Sequence, residues 1–97
     1  MQYILYDYYG LMTEDGYESA VTTTFAEEFD SNYELEEYLS KQITARGLYL
    51  FEDESFMKIG KAYGCFSIDI YDDNGELIQG DDYYYEERGV INAIFNI

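Results

Sequence analysis

The chain has no histidine, no proline and no tryptophan, a single cysteine, and only five basic residues in 97. Each shortage closes off some chemistry. Without histidine there is no Ser-His-Asp triad, no imidazole general base and no His-based zinc site. The one thiol, Cys65, cannot make an internal disulfide, so the fold does without the staple of small secreted domains. It lies between Gly64 and Phe66 in a predicted strand. With no imidazole to activate it, it reads as a small buried hydrophobe. The missing prolines leave no obvious linker, and Gly10, Gly16, Gly60 and Gly64 lack the spacing and the lysine of a phosphate loop. No apolar run approaches a membrane span, and residues 1–7 lack the basic and apolar regions of a signal peptide. A cytoplasmic protein without membrane contact is expected, because anionic lipid surfaces would repel it. So few cations give no basic footprint, so the chain is expected not to bind DNA or RNA by itself.

What is present in excess is negative charge: 21 Asp and Glu against 5 Lys and Arg, a net charge of -16. The acids are spread along the chain, with 10 in residues 1–48 and 11 in residues 49–97, so there is no acidic tail on a neutral body. Aromatic content is 20%, from 13 Tyr and 6 Phe, whereas disordered acidic chains are poor in aromatics. The length suits one domain, residues 1–97, with a thin core.

Periodicity predicts an α+β fold. Residues 2–9 read as a strand with Ile4, Tyr6 and Tyr8 on one face and Tyr3, Leu5 and Asp7 on the other. Thr13-Glu14-Asp15-Gly16 reads as a turn, and residues 17–25 as the returning strand of a hairpin. Ser31 and Glu34 fit a capping box, and Gly47 suits a left-handed C-terminal residue. Between them Leu35, Tyr38, Leu39, Gln42, Ile43 and Arg46 recur at helical spacing, predicting a helix over about 32–46. Residues 48–52 read as a short strand, and 62–71 as a strand with Phe66, Ile68 and Ile70 opposite Cys65, Ser67 and Asp69. Asn74-Gly75 turns this into a return strand at 76–79. Residues 82–97 fit either helix or strand and are read as strand. The expected architecture is an antiparallel sheet of about four to six strands with the one main helix packed on a face.

No constellation points to catalysis. Aligning Gly75 with the glycine of a calcium loop puts Ile70 at the first ligand position and Asp81 at the last. An ordinary hairpin turn is the better reading, with only weak, non-specific cation binding. Paired carboxylates can always be found among 21 acids, so a glycosidase pair carries no information. A non-enzymatic protein with no cofactor and no metal is expected.

Magnitude turns the acidity itself into a signal. Solubility needs a net charge of only ~2–8 in a small domain, and the excess weakens the compact state by self-repulsion. A chain of this length should have a radius of gyration of ~12–13 Å, hence a diameter of roughly 32 Å. Duplex DNA carries about 19 charges over that length. Carboxylates accept from Arg and Lys as phosphate oxygens do, and tyrosine supplies rigid contact area. The residues expected to meet a partner are Glu34 and Glu37 on the helix, and the loop acids Glu52, Asp53, Glu54, Asp72 and Asp73. Asp81, Asp82, Tyr83, Tyr84, Tyr85, Glu86 and Glu87 complete the set. In a strand Tyr84 faces opposite to Tyr83 and Tyr85, so at least one ring is expected to face solvent.

In size, charge, Tyr content and α+β build, the chain resembles small acidic phage-encoded inhibitors that mimic nucleic acid, the anti-CRISPR and antirestriction class. The resemblance covers the whole chain and rests on no motif. It implies occupation of the basic nucleic-acid channel of a CRISPR effector or another bacterial nuclease. The alternative is an immunity protein neutralising a basic nuclease toxin.

Overall fold

The computed structural model describes residues 1–19 and 25–95. Strands β1 (Gln2–Thr13), β2 (Gly16–Glu18) and β3 (Phe25–Phe29) precede helix α1 (Asn32–Arg46). Strands β4 (Ala62–Tyr71) and β5 (Leu77–Tyr85) follow, and helix α2 (Arg88–Phe95) comes last. All strand pairings are antiparallel, in the order β2-β1-β4-β5, with β3 also on β1. β2 pairs with residues 11–13 of β1 and β3 with residues 3–7, so the two short strands share one edge of the long one. The sheet curls as a half-barrel with α1 packed on it.

Alternation sorts the side chains as the sequence predicts. Leu5, Asp7 and Tyr9 of β1, Phe66 and Ile68 of β4 and Tyr85 of β5 lie on the helix face and are buried. Leu35 of α1 and Ile91 of α2 close over them. Buried aliphatic and Phe side chains each contribute about 1.5–3 kcal/mol. The opposite face carries Tyr6, Tyr8, Cys65, Ser67, Asp69, Asp82 and Tyr84. Cys65 is fully buried there, and burial pushes its thiol pKa up to about 12.

Helix α1 occupies the predicted residues. Ser31 caps it by accepting from the Glu34 N–H at 3.2 Å, and Gly47 takes φ 62 at its end, where its N–H reaches back to the Thr44 carbonyl. The hairpin turn at 72–75 also stands, closed by Asp72, whose carboxylate accepts from the N–H groups of Asn74 and Glu76 at 2.9 Å each.

Three expectations are corrected. Residues 82–97 are not one strand: β5 runs on to Tyr85, and α2 begins at Arg88, its first turn marked by the Ile91 N–H donating to the Glu87 carbonyl at 3.1 Å. Helix wins because a single apolar anchor, Ile91, can then drop into the core. Residues 48–52 form no strand beyond the bridge between Phe51 and Tyr84. The expected strand 17–25 ends at Glu18 and resumes at Phe25, while residues 20–24 of it, and residues 96–97, lie outside the described residues.

Gly64 pairs with Tyr85 across β4 and β5, and the phenol ring lies where a Gly64 side chain would be. Gly64→Ala is therefore expected to cost about 1–3 kcal/mol by overpacking. Gly80→Ala, whose added methyl would meet the Asp69 carboxylate at 3.5 Å and the Ile68 carbonyl at 4.0 Å, both ordinary contacts, should stay within about 0.5 kcal/mol. Thermal melts of the two variants check the contrast; equal melting temperatures would contradict the packing of Tyr85 on Gly64.

Candidate functional site

Two polar assemblies organise the molecule, one buried and one open. The buried one centres on Arg46, the last residue of α1. Its guanidinium donates to Asp7 at 3.0 Å, to the Tyr85 hydroxyl at 2.8 Å, and to Glu87 through Nε at 3.0 Å and through a second, shorter contact. The Tyr85 hydroxyl in turn donates to Asp7 at 2.5 Å. The cation also lies over the rings of Tyr85 and Phe66, 5.1 and 5.5 Å from their centroids. Asp7 is only 1% exposed. Burial pushes its carboxyl above the ordinary range, against the opposing pull of Tyr85 and Arg46, and the Glu87 charge adds to the rise. Hydrogen bonds donated to Glu87 and Tyr85, together with the charge of Asp7, hold Arg46 firmly protonated despite desolvation. Among the described residues no buried side-chain nitrogen or oxygen lacks a hydrogen-bond partner, so this assembly reads as structural.

The open assembly lies along the outer edge of β5. Glu52 comes from the loop after α1 and meets Gly80, Asp81, Asp82, Tyr83 and Tyr84 around a cleft of ≈ 490 Å³. The bridge between Phe51 and Tyr84, with reciprocal backbone hydrogen bonds of 2.8 Å, fixes the loop there. Ser67 donates to Asp82 at 2.6 Å and Gln79 to Asp81 at 2.7 Å, which orients both carboxylates. Desolvation, then the charges of Asp81 and Glu52, raise the Tyr83 pKa. Burial, followed by the influence of Cys65, Asp82 and Glu54, pushes Tyr84 up to about 12. Both phenols stay protonated at neutral pH. Hydroxyl groups among carboxylates present a surface for cationic groups.

Of the residues expected to meet a partner, the structure gathers Glu52, Asp81, Asp82, Tyr83 and Tyr84 in this cleft, with Glu54 beside Tyr84. The others are dispersed. Asp72 closes the hairpin turn, and Asp73 accepts from the Met1 ammonium at 2.8 Å. Asp53 turns back on its own loop to accept from the Ser55 N–H at 2.9 Å. Glu34 and Glu37 lie on the flank of α1 facing Phe29 and Tyr38, with Glu37 paired to Lys41 at 3.2 Å. Glu86 is exposed beyond the end of β5. Tyr85 and Glu87 must be corrected: both turn inward to Arg46, and Tyr85 is 0% exposed, so it offers no contact surface. No ring of the Tyr83–Tyr85 run is fully solvent-facing either. Tyr84 is half-buried on the second face, where it packs edge-on against Tyr17 at 5.2 Å.

The residue that sequence reasoning missed is Asp7. Its signal was present: a lone charge in register with Leu5 on the face that proves to be the core. Among the described residues no group of three acidic or thiol side chains converges to hold a metal ion. No described helix is long and apolar enough to cross a membrane. No family model, curated protein or solved structure matches the chain.

Two predictions follow from the buried assembly. Arg46→Met leaves Asp7 and Glu87 without their cation and should cost about 3–5 kcal/mol, a large part of the stability of a small domain. Urea unfolding checks it, and a loss under about 1 kcal/mol would show the network to be dispensable. The second concerns pH. The folded-state pKa of Asp7 is raised, so the folded protein binds this proton at higher pH than the unfolded chain does. Stability is then greatest where Asp7 is protonated and is lost as pH rises through the folded value. The melting temperature should climb as pH is lowered from neutral toward the ordinary carboxylate range, and Asp7→Asn should make that climb smaller.

Proposed function

We propose that the protein is a non-enzymatic inhibitor that stands in for nucleic acid at the basic binding site of a nuclease, as anti-CRISPR and antirestriction proteins do. The supporting observation is charge density. The net charge of -16 is carried on a body 41 Å long, or about one charge per 2.6 Å. That lies between one per ~3.4 Å on a single strand and one per ~1.7 Å on a duplex. The radius of gyration is 13.9 Å, so a channel that admits a nucleic-acid helix meets a comparable charge over a comparable span. Most of the carboxylates are exposed, while the best-paired cation, Arg46, is turned inward and does not dilute the surface field.

Within this reading the acidic cleft beside β5 supplies the specific contacts and the remaining acids supply the field. Tyr83 and Tyr84 are half-buried, so they present fixed edges at little entropic cost, and the carboxylates of Asp81 and Asp82 are already oriented by Gln79 and Ser67. Truncation of such central residues typically costs ~2 kcal/mol or more in binding.

The test is cleavage of target DNA by a panel of CRISPR effectors and restriction nucleases, with the protein added at rising concentration. Inhibition of at least one should weaken steeply with added salt, because exposed charges act mainly through encounter rate. Asp81→Lys combined with Asp82→Lys should raise the inhibitory concentration by about 30-fold or more, which corresponds to ~2 kcal/mol. Reversing Glu14, Asp15 and Glu18 together, in the β1–β2 hairpin, should have a smaller effect. If the hairpin variant loses more inhibition than the β5 variant, the site is misplaced. If no nucleic-acid-binding enzyme is inhibited, the mimicry reading is wrong.

A further inference from the structure

We infer that the outer edge of β5 takes up an extended segment of the partner as an added strand, one in which Lys or Arg alternates with apolar residues. This rests on the reading that the partner is basic, and it specifies how that partner is held. β5 is the last strand of the sheet, and in the described residues only Phe51 pairs with its outer side, at Tyr84. Antiparallel pairing alternates, so the groups that point outward at Tyr84 are followed by those of Asp82 and Gly80. Among the described residues no strand lies opposite their backbone N–H and C=O groups. The edge is therefore already used as a pairing template at one end and is open over the next two outward positions. Gly80, with no side chain, leaves room for another backbone to approach.

The two sides of this edge differ. On the helix face, a groove of ≈ 310 Å³ runs between α1 and β5, with Leu35, Leu39, Leu50 and Ile70 in its floor and Glu36 and Asp81 among its polar lining. The acidic cleft wraps the edge itself: Asp82 and Tyr84 lie on the second face, and Glu52, Asp81 and Tyr83 complete its lining. A strand added to β5 would direct alternate side chains to these two sides. Apolar residues would fill the groove, and cationic ones would meet Asp82 on the second face, with Glu52 beside the edge. That two-sided pattern is what selects an alternating basic segment as the occupant. A second copy of this chain would bring its own Asp81, Asp82 and Glu52 against the same acids, on molecules each carrying -16. Nucleic acid is excluded by the same repulsion.

The probe is a synthetic peptide of about ten residues, long enough to cover the edge, with Lys and Val in alternation. Three peptides are compared by fluorescence anisotropy at moderate salt. One is the alternating peptide, and the second is the same sequence with every second backbone nitrogen methylated to block strand pairing. The third has the same composition with all lysines first. Amide hydrogen exchange at Gly80 and Asp82 is followed by NMR. The alternating peptide should slow exchange at both amides, and the methylated and block peptides should each bind about tenfold or more weakly. Equal binding of the methylated peptide would overturn the inference, since charge alone would then account for it. Protection confined to the β3 edge, residues 25–29, would overturn it as well. Either result leaves nuclease inhibition by Asp81 and Asp82 to stand on its own assay. Strand pairing without inhibition of any nuclease would instead leave this edge intact and remove nucleic-acid mimicry.

Discussion

Arg46 is the point at which the fold is tied together. As the last residue of α1 it reaches β1 through Asp7, β5 through Tyr85 and the connection to α2 through Glu87. The end of the helix, β1 and the β5–α2 segment thus share one guanidinium, which also stacks on aromatic rings from β4 and β5. An arginine suits the position because its planar fork can serve several acceptors at once, which a lysine cannot. The cluster holds two carboxylates against one cation, and this imbalance combines with burial to raise Asp7. Buried ion pairs seldom add much net stability over a well-packed apolar alternative, but breaking one is costly. Here the gain is geometric: the end of α1 cannot slide along the sheet without leaving Asp7 unpaired.

That constraint matters because so little else opposes the surface charge. Among the side chains described, α1 has one fully buried, Leu35, and α2 has one, Ile91. The sheet supplies the remainder of the core, with Phe66 and Tyr85 inclined to each other at 4.9 Å and Tyr9 edge-on to Tyr85 at 6.5 Å. Aromatic residues suit a thin core under strain because each buries a large area. Tyrosine does so while leaving a hydroxyl for a polar partner, as at Tyr85 with Asp7 and at Tyr17 with the Tyr63 carbonyl. The high tyrosine content is thus largely structural, and only Tyr83 and Tyr84 bring it to the acidic cleft.

The local elements were legible because their signals are local. The Ser31 cap, the Gly47 terminus and the Asn74-Gly75 turn each depend on residues a few positions apart, and period-2 alternation placed the faces of β1 and β4 correctly. What alternation cannot convey is whether a face is covered. Tyr84 does point away from Tyr83 and Tyr85, yet it is half-buried, because Tyr17 packs against it on the far side of the sheet. The inward turn of Tyr85 and Glu87 depends on Arg46, 39 and 41 residues away, and no short-range pattern encodes a contact of that span. The meeting of Glu52 with Asp81 and Asp82 was hidden for the same reason. Each acidic run was visible, but only the Phe51–Tyr84 bridge brings the two together.

The same bridge explains why the acids along β5 have more than one role. An exposed edge strand is a template for unwanted pairing, and Leu77 and Ile78, 57% and 50% exposed, make this edge apolar at its start. Asp81 and Asp82 guard it, since another acidic chain approaching the edge is repelled. The charge that repels like molecules attracts unlike ones, so on the proposed reading the guard against self-association would also be a filter for a basic partner. Charge by itself would hold such a partner at long range and without register, because its field varies little over a few ångströms of displacement. Backbone pairing at Gly80 and Asp82 acts only at hydrogen-bond distance and repeats along the strand, so it fixes the register that the field leaves free. On the proposed reading the sixteen net charges would govern how fast a partner arrives and how strongly salt opposes it, and the short edge would govern how long it stays.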